Sequence, residues 1–133
     1  MANPTPRNVD DVALRPVEPC DEAFLYRVFE ETRSPERPAV ELTGNEWGAF
    51  VRMQYEAQQR HYDAVYRNAE HSIILWKGDP VGRIWIWESE SQIRLLDIAI
   101  LPEYRGRGIG TWLLHDLQAR ASCAGVPLRH MVE

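Results

Sequence analysis

Cysteine is scarce in this chain of 133 residues: there are two, Cys20 and Cys123, far apart and with no C-x-x-C pair. That spacing excludes a zinc ribbon and a thioredoxin-like dithiol, and the two are read as buried, reduced thiols. Long apolar runs are missing as well. The longest, such as residues 73–76, is far too short to cross a bilayer. The first residues, Met-Ala-Asn-Pro-Thr-Pro-Arg, hold no apolar core of a signal peptide, so a cytoplasmic protein is expected. An excess of positive charge is absent too. Fifteen Lys and Arg stand against 20 Asp and Glu, a formal charge of −5. Such a balance gives no footprint for nucleic acid or for an anionic membrane surface. His61, His71, His115 and His130 show no metal-ligand spacing, so no metal is expected.

What is present fits one globular domain. Hydrophobic residues make up 44% and charged residues 26%, enough for a core and too apolar for disorder. Residues 1–10 read as a flexible N-terminal arm and residues 11–133 as the domain. A first strand over 12–17 is limited to a strand end or sheet edge by Pro16. A short helix opens at Asp21, with Phe24, Leu25, Val28 and Phe29 at helical spacing, and the proline-rich segment 34–38 breaks it. A longer helix follows, capped by Thr43 or Asn45, and runs to about Tyr66. Its Trp47, Tyr55, Tyr62 and Tyr66 read as core, with an acceptor pocket as the alternative. The period then becomes strand-like. Residues 71–76, a turn at Lys77-Gly78-Asp79-Pro80, residues 81–87 and residues 93–101 form a meander. Trp85 and Trp87 share one sheet face. A last helix starts near Gly108 and stops at Gly125 and Pro127, and a final strand spans 128–132.

The informative stretch is IAILPEYRGRGIGTWLL. An apolar strand enters a turn with glycines at alternate positions, Gly106, Gly108 and Gly110, and a helix follows. Glycines let backbone amides approach a ligand with no Cβ in the way. A helix N-terminus adds free N–H groups and partial positive charge, which suits a pyrophosphate. Arg105 and Arg107 add charge-assisted donors. A Walker A loop is excluded because the turn has no lysine, and a Rossmann fingerprint fails because its third glycine would be Thr111.

The R-x-x-G-x-G turn from Arg105 to Gly110, between that strand and that helix, resembles the hallmark of the GNAT superfamily of acyl-CoA-dependent N-acetyltransferases. The order of elements upstream is similar as well, so the resemblance covers roughly residues 10 to 132. It implies a mixed α/β (α+β) fold with a mostly antiparallel sheet flanked by helices, and a last strand parallel to the motif strand. It implies that the backbone of Arg105, Gly106, Arg107, Gly108, Ile109, Gly110 and Thr111 binds the pyrophosphate of acetyl-CoA. The backbone of Ile98, Ala99 and Ile100 would hold the pantetheine arm and thioester. Acetyl would then pass to a small-molecule or protein amine by direct attack. Members of the superfamily continue with another helix and a closing hairpin, so a C-terminally short domain is expected, with an open edge suited to homo-oligomer formation.

The attacking amine must be neutral, so a carboxylate should take its proton. Asp97 is the candidate base, since burial in an apolar strand would tune it, and a structural hydrogen-bonding role is the alternative. Glu88 and Glu90 lie near a turn and read as solvated. Two rival functions stand beside acetyl transfer: an acyl-CoA-binding module without turnover, and an assembly piece completed by another chain.

Overall fold

The computed structural model describes residues 11–33 and 44–130. The expected arm at residues 1–10, the break at 34–38, the cap at Thr43 and the end of the last strand at 131–132 lie outside them. The elements in chain order are β1 (Val12–Pro16), a 3-10 turn at Pro19–Asp21, α1 (Glu22–Arg33), α2 (Gly44–Val65), β2 (Glu70–Trp76), β3 (Asp79–Glu88), β4 (Ile93–Ile100), a 3-10 turn at Pro102–Tyr104, α3 (Ile109–Ala124) and β5 (Leu128–His130). Asn45 lies inside α2 and is therefore not its cap. The hairpin turn is tighter than the sequence suggests. Only Lys77 and Gly78 form it, both at positive φ, and Asp79 and Pro80 already belong to β3. Two consecutive positive φ values match the right-handed twist of the flanking strands.

The five strands form one sheet in the order β1-β2-β3-β4-β5. The first four pair antiparallel and β5 pairs parallel to β4, as the crossover through α3 requires. One face packs on α3, whose Ile109, Leu113, Leu117 and Ala121 meet Ile74, Ile84, Ile86, Ile93 and Leu95. The other face carries α1 and α2, where Leu25, Phe29, Trp47, Val51 and Tyr55 cover Ile73, and Tyr62 covers Trp85 and Leu96. Trp47, Tyr55 and Tyr62 are thus core. Both cysteines, by contrast, are exposed rather than buried. Cys20 sits in the 3-10 turn and Cys123 on the outer side of α3, one residue short of its end. The 3-10 turn that leads into α1 is tied to β1 by Arg15, which forks onto Asp21 through two bonds of 2.8 Å. That fork and the Glu18 N–H hold the Asp21 carboxyl down to about 2.

Two register shifts shape the sheet. The β2–β3 ladder skips Val81, and the β3–β4 ladder skips Leu96. The second has a large consequence. Leu95 faces α3, and strict alternation would turn Asp97 the same way. The extra residue reverses the alternation, so Asp97 lies opposite Trp85, on the α1/α2 face. The Tyr62 hydroxyl, 3.1 Å from the Leu96 carbonyl oxygen, donates to the bulge. Gly82 is the other tight point. A Cβ there would run into the Ala99 carbonyl oxygen and crowd the Ile100 Cα, both backbone atoms of β4. Gly82→Ala is expected to cost about 1–3 kcal/mol, as overpacking does. Urea unfolding checks this, and a variant as stable as the parent would show that β4 shifts freely.

Candidate active site

The β4–β5 ladder is short. Ile93, Arg94 and Leu95 pair with Leu128, Arg129 and His130. Among the described residues, the β4 backbone from Leu96 to Ile100 meets no strand on that side. Strand β4 then runs through Leu101 and the 3-10 turn into the glycine-rich loop. Gly106 and Gly108 hold φ of 78° and 83°, the left-handed region that favours glycine. Gly108 is the N-cap of α3 and its carbonyl accepts from the Trp112 N–H at 2.9 Å. The N–H groups of Ile109, Gly110 and Thr111 precede that bond and have no acceptor within the helix. Gly110 fits closely without strain, since a Cβ there would meet only Ile100 Cδ1 at 3.6 Å.

The arginines of the loop are partly committed. Arg105 folds back, and its Nε donates to the Ile100 carbonyl at 3.0 Å, bracing the strand end against the loop. The Arg107 guanidinium lies 5.1 Å from the centre of the Trp76 ring. Glu103, in the 3-10 turn, takes a 2.8 Å ion pair from Arg27 of α1, which ties the helix to the loop.

Beside this part of β4 lies a cavity of about 500 Å³, an ordinary size for a small-molecule site. Asp97, Ile98, Ala99 and Ile100 line it from β4, with Arg105 and Gly110 at the loop end. The site residues expected from the sequence therefore come together here, except that Gly106, Arg107, Gly108, Ile109 and Thr111 lie along the loop and helix start rather than in the cavity wall. Arg83 and Gln58 also line it, and Phe29 and Thr32 close it from α1. Glu88 is not part of it, being paired to Arg120 across the sheet surface.

Asp97 is not an isolated carboxylate in apolar surroundings. Its side chain is 27% exposed, and its Oδ2 accepts from Arg83 Nε at 3.0 Å and forms an ion pair with Arg83 Nη2 at 2.8 Å. The reason is the bulge, which puts Asp97 diagonal to Arg83 on one face of neighbouring strands. Arg83 itself is 1% exposed and also donates through Nη2 to Gln58 Oε1 at 2.5 Å. Sequence reasoning passed over Arg83 and Gln58. The signal for the first was there: a single guanidinium inside the bulky apolar run from Val81 to Trp87. Gln58 reads as one more polar residue on a helix. Nearby, His71 stacks flat on Trp85 with ring centres 3.9 Å apart. Burial, and next the Arg83 charge, push it down to about 4, so it is neutral at pH 7.

Known proteins agree with this architecture. Residues 25–131 match the acetyltransferase (GNAT) family, and the chain belongs to that family. Among curated proteins no sequence match is found. Solved structures share the fold. The PaiA N-acetyltransferase from Thermoplasma acidophilum, solved with coenzyme A, superposes with a TM-score of 0.59 at 16% identity, over 86% of this chain and 74% of that one. A GCN5-related N-acetyltransferase from Rhodopseudomonas palustris gives 0.54 at 24% identity, over 86% and 68%. An acetyltransferase from Trypanosoma brucei gives 0.52 at 19% identity, over 92% and 84%. No described helix is long and apolar enough to cross a membrane.

Proposed function

We propose that this acetyltransferase takes its acetyl group from acetyl-CoA and passes it to an amine by direct attack. The carrying observation is the cavity that joins the motif strand to the glycine-rich loop: Asp97, Ile98, Ala99 and Ile100 of β4 line it together with Arg105 and Gly110. The donor set fits the cosubstrate. Free amides at a helix N-terminus suit a pyrophosphate, and strand backbone suits the amides of a pantetheine arm. The relative solved with coenzyme A supports the same assignment.

In this reading the amides of Ile109, Gly110 and Thr111 hold the pyrophosphate, with Arg105 and Arg107 beside them. Ile98, Ala99 and Ile100 align the arm by their backbone. Acetyl-CoA supplies the acetyl group as a thioester: a nitrogen–carbon bond replaces the carbon–sulfur bond, and coenzyme A leaves as the thiol. Asp97 takes the amine proton, directly or through one water. Arg83 binds only Oδ2 of that carboxylate, and Oδ1 has no partner among the described residues, so one oxygen is held and the other serves the acceptor.

Because only the folded loop presents the amide array, acetyl-CoA is expected to stabilise the protein. At about 100 times its dissociation constant the gain should be about 2.7 kcal/mol. Thermal unfolding with and without acetyl-CoA tests this, and an unchanged Tm at saturation would remove the cosubstrate from the reading.

A further inference from the structure

The guanidinium of Arg83 is the most deeply buried charge lining the cavity, at 1% exposure. It carries five N–H donors. Those on Nε and Nη2 reach Asp97 and Gln58. Nη1 is buried and has no hydrogen-bond partner among the described residues. Three other buried polar atoms among the described residues also lack one, on Tyr55, Gln59 and His71, but none of those residues lines this cavity. An unpaired buried donor costs roughly 1–3 kcal/mol, more on a charged group. A charged donor left unpaired beside a cavity is suited to an anionic ligand atom.

The charge balance points the same way. Among the described residues, the ionised side chains lining the cavity are Arg83, Arg105 and Asp97. His71 next to them is held neutral at pH 7 by burial and by Arg83, and Asp21 is committed to Arg15. With Arg105 set beside the pyrophosphate in the reading above, the Arg83–Asp97 pair faces the acceptor, and a plain ammonium would add an unbalanced cation to it where the dielectric is low. An acceptor that carries its own carboxylate adds no net charge. Gln58 supplies a neutral donor for it. Its Oε1 must face Arg83, which has only donors to offer, so its Nε2 is a donor with no partner among the described residues.

We propose that the acceptor is a free amino acid, with its amine at Asp97 Oδ1 and its carboxylate at Arg83 Nη1 and Gln58 Nε2. This rests on the acetyl transfer proposed above and names its substrate class. The two recognition points flank a single ion pair, so amine and carboxylate must sit within a few bonds of each other. An α- or β-amino acid meets that condition, whereas a lysine side chain within a protein does not.

The test offers acetyl-CoA with the standard amino acids, β-alanine, their amides, the corresponding decarboxylated amines, and a lysine peptide blocked at both ends. Coenzyme A release and the mass of the product are followed. The expected result is acetylation of one or more amino acids with kcat/KM at least about 100-fold above the matching amide and amine, since a site built to bind a polar group rejects analogues that lack it. Gln58→Leu leaves the Arg83–Asp97 pair intact and should raise KM for the amino acid about tenfold with kcat nearly unchanged, the mark of lost binding alone. Its affinity for acetyl-CoA should not move. Amides or plain amines used as well as the amino acids, or a preference for the blocked peptide, overturns the inference. So does a panel with no amino acid acetylated while acetyl-CoA still raises Tm. Loss of the acetyl-CoA effect itself removes the underlying reading and this inference with it.

Discussion

Gly108→Val is expected to weaken acetyl-CoA binding by at least about 100-fold, about 2.8 kcal/mol at 1.4 kcal/mol per decade. Gly108 sits at φ 83° and ψ 5° as the N-cap of α3. A β-branched residue is a genuine outlier there, and holding one in a sparsely populated region costs about 1–3 kcal/mol. The loop can relieve that strain only by rotating. Rotation would misdirect the Ile109, Gly110 and Thr111 amides, which form the proposed anion cradle. Without rotation, the isopropyl group would occupy space beside the cradle. Either route removes affinity. Gly110→Asp should lose affinity for a different reason, since its carboxylate opposes the pyrophosphate charge at a position where the backbone is unstrained. Isothermal titration of each folded variant decides the matter. Wild-type affinity in both would reduce the loop to a connection between β4 and α3.

Substitutions of Asp97 should separate its two roles. Asp97→Asn keeps an oxygen acceptor for Arg83 and removes the base. A fall in kcat of about 10²–10⁴ is expected, with unchanged affinity for acetyl-CoA. Asp97→Ala removes the partner altogether. Arg83, 1% exposed, would then keep Gln58 alone. Breaking a buried pair on one side costs about 3–5 kcal/mol, and the lower end applies because the Asp97 side chain is 27% exposed. Urea unfolding gives this number directly. An alanine variant within about 1 kcal/mol of the parent would mean that water replaces the carboxylate, and that burial of Arg83 does not depend on the pair.

The glycine-rich turn was readable because its chemistry is local. Alternate glycines, two arginines and the switch from strand to helix period all fall within one short stretch, and the structure puts Gly106 and Gly108 at positive φ. The meander was readable for the same reason, apart from Asp79 and Pro80, which joined β3 when the turn closed on two residues. Cysteine burial was not readable. The frequency with which thiols are buried says nothing about where Cys20 and Cys123 fall relative to a particular core, and both face outward.

By itself, then, the amino-acid sequence determined the period of each described element, the position of the glycine-rich turn and the parallel return of the last strand. These follow from side-chain spacing, backbone freedom at glycine and the handedness of a crossover. The tertiary structure alone decided which way Asp97 points. Alternation from Leu95 sends it toward α3, and only the skipped residue at Leu96 turns it toward α2. A bulge arises from how two strands pair, so one strand read alone does not contain it. The same is true of the Gln58–Arg83–Asp97 chain, which joins a helix and two strands. Its members lie 25 and 14 residues apart in sequence, and only the packing of α2 on the sheet makes them one site.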